Sequence, residues 1–259
     1  MATPPPIFEP AGGQAIPASP QVPVSLKFHG SRSHVTYTFL GICVILYAGQ
    51  YLSQLLTGYD IPFALGGKIN ELISAGQFWR LFTPMLLHGS IFHLGLNMYA
   101  LLILGRNMEY HFGHTRFTAL FIAAGFAGNT LSYLFSPTPS LGSSTAIFGL
   151  LGAEVVFVYL NRRFYGSRSR PILINAAIVA GINLVLGLSP GIDNWGHLGG
   201  LLGGMIFAFV AGPRWQVAGS FPELTIVDSR PRYTVWLGFV FVLAVFSTAI
   251  IIHRLITPQ

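Results

Sequence analysis

Charge is what this sequence has least of: aspartate, glutamate, lysine and arginine together make up 8% of it. A soluble globular domain carries roughly 25%, so these residues cannot cover a surface facing water. Cysteine occurs once, at Cys43, which excludes an internal disulfide; it sits in an apolar run, where it fills space. No His-Glu-x-x-His occurs, and His88 and His93 are separated without an intervening glutamate, so the zinc-protease pattern is missing and no metal site is expected. Facing carboxylates are missing too. Asp60, Asp193 and Asp228 fall in loops or at the ends of apolar runs, and Glu154 is the one acid deep inside a run, where a bond to a neighbouring helix is expected of it. No internal repeat is visible, against a transporter of the inverted-repeat kind. Residues 1–34, rich in Pro, Ala, Gly and Ser, have neither the basic start nor the apolar core of a signal peptide.

What is present is apolar. Hydrophobic residues are 52% and mean hydropathy is +0.61. A bilayer-crossing helix takes about 20 mostly apolar residues, and seven runs qualify, over 35–56, 90–109, 116–135, 143–161, 171–188, 194–212 and 233–253. The expectation is an all-α, polytopic membrane helical bundle in contact with the lipid bilayer. The net charge of +6 and pI near 9.7 do not indicate nucleic acid, because the basic residues lie in short loops where membrane topology accounts for them. Lys27, Arg32, Arg106, Arg116, Arg162, Arg163, Arg168, Arg170, Arg214, Arg230 and Arg232 fall on one side, and only Lys68, Arg80 and Arg254 on the other. That bias places the N-terminus in the cytoplasm. The divisions are a disordered Pro-rich cytoplasmic tail over 1–34, six helices over 35–212, a cytoplasmic loop over 213–232, and a seventh helix with a short tail over 233–259.

Polar side chains within spans are costly and by default functional. Three clusters open three of the runs: His88, His93 and Asn97 in "HGSIFHLGLN", Ser143 and Ser144 in "LGSSTAIFG", and Asp193, Asn194 and His197 in "DNWGHLGG". The charge bias puts all three toward the outer face. A serine hydroxyl needs a base to become a nucleophile, and imidazole suits that role near neutral pH. His93 and Asn97, at i and i+4, share a helix face and can donate to an oxyanion. Each cluster has an ordinary explanation taken alone. A helical serine bonds back to the i−4 carbonyl, Asp193 caps a helix, and glycine ridges only pack. A single hydrolase site explains all three together. The ridges Gly196/Gly200/Gly204 and Gly199/Gly203, with Gly149 and Gly152, let backbones approach closely, close enough for Ser144 to reach His197. Hydrolysis also needs water, so a polar cavity open outward and lined by His88, His93, Asn97, Ser143 and His197 is expected.

At these residues the sequence resembles the rhomboid family of intramembrane serine proteases. "GSSTAIFG" at 142–149 is similar to the family's Gly-x-Ser-Gly motif, with Thr145 in place of its glycine. "HLGG" at 197–200 matches its histidine motif, "HGSIFHLGLN" its second-span motif, and "FWRLFTPMLLH" its first-loop Trp-Arg pair; "GRNMEYHFGHTRF", with Glu109, is a further likeness. The resemblance implies a six-helix rhomboid core plus a seventh C-terminal transmembrane helix. It implies a Ser144–His197 dyad with no cofactor, and an oxyanion hole from His93, Asn97 and the Ser144 N–H. Phe148 would stack near His197, His88, Gly142, Gly199 and Gly200 would support the site, and Trp79 and Arg80 would shape the first loop. The implied partners are transmembrane protein substrates, in what is expected to be a bacterial plasma membrane. A catalytically inactive relative that binds membrane clients is the alternative, disfavoured by the presence of both Ser144 and His197. A small transporter would not require a Gly-x-Ser motif.

Overall fold

The computed structural model describes residues 32–220 and 223–256; nearly all of the Pro-rich tail lies outside them. Helix α1 (His34–Thr57) stops at Gly58, whose φ of 78° turns the chain while its amide bonds Gln54 O. The first loop folds into α2 (Ile61–Gly66), capped by the Asp60 side chain on the Phe63 amide, then α3 (Asn70–Ser74) and two tight 3₁₀ turns over Phe78–Leu86. Ser90 caps α4 (Ile91–Ala100) through the His93 amide. One π turn, Leu101–Gly105, passes α4 into α5 (Arg106–Phe135). Helix α5 is broken at Gly113, where φ is 74° and ψ 165°, a conformation open essentially to glycine alone. The single long helical stretch is therefore two segments. Then come α6 (Ser144–Leu160), the short α7 (Arg162–Tyr165), α8 (Ser169–Leu186) and α9 (Asn194–Ala211). The antiparallel strands β1 (Trp215–Ser220) and β2 (Glu223–Asp228) follow, and α10 (Thr234–Ile256) ends the described chain.

Among the described residues, five helical stretches are long and apolar enough to cross a membrane, one of them Ile91–Phe135 with its break; α6 is apolar but shorter. Helices α5, α6 and α9 pack on one another at the centre. Their contact surfaces are small: a Cβ on Gly199 would come within 2.6 Å of Ala127 O, and Cβ atoms on Gly200 and Gly204 would run into the carbonyl oxygens of Thr145 and Gly149. Helix α10 lies on α5 and α9, and α8 touches α6 along one side with only Ala176 buried. The core is apolar, but the surface is unlike that of a soluble protein. Ile178, Val185, Trp236 and Leu255 are exposed, while Gln50, Lys68, Asn97, Glu109 and Asn129 are buried; lipid reverses which groups must be hidden.

The segment 213–232, expected as a loop, contains the β1–β2 ribbon. Its register runs from Trp215 opposite Asp228 to Ser220 opposite Glu223. Asn161, at the end of α6, accepts from the Trp215 amide at 2.7 Å and donates to Pro213 O. The Trp215 ring stacks on Tyr165 and meets Phe157 edge-on. Arg116 pairs with Asp228, tying the ribbon to the third apolar segment. Glu154 accepts from Asn107 at 2.9 Å, a bond between neighbouring helices.

Candidate active site

The N-terminal ends of α4, α6 and α9 converge. Gly142 takes a φ of 137°, and its amide donates to Pro84 O at 2.9 Å, so the chain turns sharply into α6 just before Ser144. A Cβ on Gly142 would sit 2.8 Å from the His93 ring and 3.6 Å from Ser144 Oγ; glycine brings the imidazole beside the hydroxyl. The first bond of α6 is Ile147 N–H to Ser143 O. The amides of Ser144, Thr145 and Ala146 therefore belong to the helix N-terminus, which has no intrahelical acceptor for them and favours developing negative charge.

Asp193 caps α9, accepting from the Gly196 amide at 3.0 Å and from the Ser132 hydroxyl. This holds the first turn that carries His197. His197 Nε2 lies 3.0 Å from Ser144 Oγ. Phe148, one turn along α6, stacks on the imidazole with centroids 4.3 Å apart and planes 8° from parallel. Asp193 reaches the backbone of α9 rather than the imidazole: among the described residues His197 Nδ1 has no hydrogen-bond partner. The arrangement is a serine–histidine pair without a carboxylate behind it.

The remaining candidates fall into two groups. His93 and Ser144 retain exposure, and Asn97, just behind them, uses one of its two N–H donors on His93 O at 3.0 Å, leaving the other for a ligand. His88 and Ser143 do not line an open cavity, contrary to expectation. Both are buried, with His88 Nε2 3.2 Å from Ser143 Oγ, because the adjacent hydroxyl points across α6 from Ser144. Trp79 is exposed and donates to Leu65 O at 3.0 Å; Arg80 is buried and donates to the carbonyls of Gly67 and Ala64 and to the Gln77 side chain. Both residues shape the first loop. Gly199 and Gly200 lie where α9 meets α5 and α6.

Several contributors were not singled out in the sequence. Gln50 of α1 accepts from the His88 amide at 3.0 Å and donates to Asp60 at 2.8 Å, joining α1, the first loop and the histidine. Its signal was a lone amide in an apolar span. Asn129 donates to Leu81 O, and Lys68, in the first loop, is fully buried.

A family model described as the Rhomboid domain matches residues 75–214, more than half of the chain. The Bacillus subtilis "Rhomboid protease GluP" is 38% identical over 186 residues, 71% of this chain and 36% of that protein. From Arabidopsis thaliana, "RHOMBOID-like protein 9, chloroplastic" is 33% identical over 196 residues, 74% of this chain and 45% of that one. "RHOMBOID-like protein 2" is 34% identical over 176 residues, 68% and 55% respectively. The chain thus spans between about a third and a little over half of the length of these relatives. The chain belongs to the rhomboid family. It is an integral, multi-pass membrane protein built as a helical bundle.

Proposed function

We propose that this protein is an intramembrane serine endopeptidase that cleaves peptide bonds in or near the transmembrane segments of membrane-protein substrates. The observation that carries the reading is the 3.0 Å approach of His197 Nε2 to Ser144 Oγ at the mouth of a helix N-terminus, next to His93 and Asn97.

The reaction follows from that geometry. The Ser144 oxygen attacks the scissile carbonyl carbon while its proton passes to His197 Nε2. The carbonyl oxygen becomes an oxyanion facing the Ser144 N–H, the His93 ring and the free N–H of Asn97. Collapse breaks the C–N bond, and the imidazolium gives its proton to the leaving amine. Water, deprotonated by His197, then attacks the acyl-enzyme, and the Ser144 oxygen leaves with the proton. Phe148 holds the ring plane through these steps, in place of a carboxylate. The Ser144 side of the dyad, which retains exposure, lies toward the outer side, with the N-terminus in the cytoplasm of a bacterial plasma membrane.

The test is cleavage of a tagged single-span substrate by detergent-solubilised full chain. Ser144→Ala and His197→Ala lower cleavage by at least 10³-fold, the scale seen when one member of such a unit is removed. Ser143→Ala retains it. Undiminished cleavage by Ser144→Ala overturns the reading.

A further inference from the structure

Among the described residues, Lys68 heads the fully buried side chains by volume, in a loop of a chain that has only 14 lysines and arginines. A buried ammonium carries a heavy desolvation cost unless specific acceptors meet it. Lys68 Nζ donates to Ser136 O at 2.6 Å and to Thr138 O at 3.0 Å. Asn70, two residues on, donates to Ser136 O and Tyr133 O. These are carbonyls of the last turn of α5 and of the strap just beyond it. A helix C-terminus leaves its last carbonyls without intrahelical donors and with partial negative charge, and here a cation and an amide from the first loop supply both needs.

The strap, residues 136–142, delivers the chain to Ser144. Pro137 and Pro139 leave it short of donors. Lys68 also pairs with it by backbone: the Lys68 amide donates to Ser140 O at 3.0 Å and the Ser140 amide to Lys68 O at 3.1 Å. The strap's far end is fixed by the Gly142 amide on Pro84 O. The other side of the site meets the same place. Ser132 lies 3.4 Å from the Ser140 hydroxyl and donates to Asp193, the cap of the helix that bears His197. Burial pulls the Lys68 ammonium down to about 8, while the charges of Asp193 and Glu71 pull it back up, so the cap of α9 and the lysine share one electrostatic neighbourhood.

We propose that Lys68 is a positioning residue for the nucleophile: its buried ammonium pins the 136–142 strap to the end of α5 and so holds the turn at Gly142, and Ser144 after it, in register with His197. The proposal rests on the protease reading. It assigns Lys68 no contact with substrate and no proton of the reaction. It requires that loosening the strap lower the rate at which a correctly folded dyad reacts.

The experiment uses the full chain in detergent with a fluorophosphonate, measuring the second-order labelling rate constant and the final stoichiometry. Wild type, Lys68→Met and Lys68→Arg are compared, with Ser144→Ala as the blank. Met keeps the stem and removes the donors; Arg restores donors with a different reach. The expected result is that Lys68→Met labels to the wild-type stoichiometry at a rate at least tenfold lower, and that Lys68→Arg recovers part of the rate. A role confined to stability would lower the stoichiometry and leave the rate per labelled site unchanged, which overturns the proposal, as does a wild-type rate in Lys68→Met. If Lys68→Met fails to fold, Lys68→Arg decides: a rate at least threefold below wild type at full stoichiometry supports the proposal, and an unchanged rate overturns it. A wild type that does not label at all overturns the protease reading and the positioning role with it. A wild type that labels while both variants match it overturns the positioning role alone.

Discussion

Thr145 stands beside the nucleophile candidate where the related motif has glycine, and the structure shows where its bulk goes. The side chain is buried, and Cβ atoms on Gly128 or Gly196 would collide with it, at 2.6 Å from Thr145 Cβ and 3.1 Å from its methyl. Two glycines elsewhere make the room that the motif's own glycine would have left. Lys68 yields the clearest pH prediction at this scale. Its folded-state value of about 8 lies below the ordinary 10.5, so between these values the unfolded chain binds more protons than the folded one. Stability attributable to Lys68 therefore rises as pH increases from about 8 towards 10.5 and is lost as pH falls through 8. Thermal unfolding in detergent between pH 7 and 10 will show wild type gaining on Lys68→Met across that window; parallel curves contradict it. Ser144 and His197 could be read from the sequence because each sits in a short local pattern. Lys68, Gln50 and the His88–Ser143 pairing could not, because their partners lie 38 to 70 residues away and only the folded first loop brings them together.

The helices carry their own tests. Gly200 and Gly204 of α9 face the Thr145 and Gly149 carbonyls of α6 so closely that no Cβ fits. Rigid backbone atoms line both contacts, so Gly200→Ala and Gly204→Ala will each destabilise the protein by about 1–3 kcal/mol or more, visible as a lowered unfolding temperature, and will slow the reaction of Ser144 by separating it from His197. Gly199→Ala serves the α5–α9 contact in the same way. Gly113 makes a different demand: at φ 74° and ψ 165°, Gly113→Ala will cost about 1–3 kcal/mol of strain, measured by denaturant titration in detergent, without altering the dyad distance. The apolar runs read from hydropathy coincide closely with the helices, since length and composition decide them. The break at Gly113 falls between the runs over 90–109 and 116–135, where RNMEYHFGHTR interrupts the apolar pattern, so the division was legible although its backbone conformation was not. The π turn at Leu101–Gly105 and the β1–β2 ribbon were not legible. The π turn lies inside an apolar run without changing its composition. The ribbon depends on Asn161 and Tyr165 offering a partner to Trp215, a tertiary condition that the local sequence does not state.

For the whole molecule, α10 is joined to the first loop. Arg254, near the end of α10, donates to Ile73 O at 3.1 Å and Ser74 O at 3.4 Å at the C-terminus of α3, and its guanidinium lies over the Phe78 ring. The family model ends at residue 214, so this brace comes from outside the shared region. Arg254→Ala will remove the cation from the end of α3 and lower the unfolding temperature by an amount corresponding to about 1 kcal/mol, while leaving the Ser144 labelling stoichiometry intact. Dependence on distant segments is general here. The proposed dyad residues lie on α6 and α9, the proposed oxyanion donors on α4, and the loop that backs them is held by α1 through Gln50 and by α10 through Arg254.

The central claim is that Ser144, and not its neighbour Ser143, is a nucleophile activated by His197. Fluorophosphonate labelling of the solubilised full chain, followed by proteolysis and mass-spectrometric mapping of the adduct, tests it most directly. One adduct per chain is expected, on Ser144, absent in Ser144→Ala and in His197→Ala and retained in Ser143→Ala. An adduct on Ser143, or labelling undiminished in His197→Ala, would contradict it; a wild type that neither labels nor cleaves would leave a client-binding member of the family in its place.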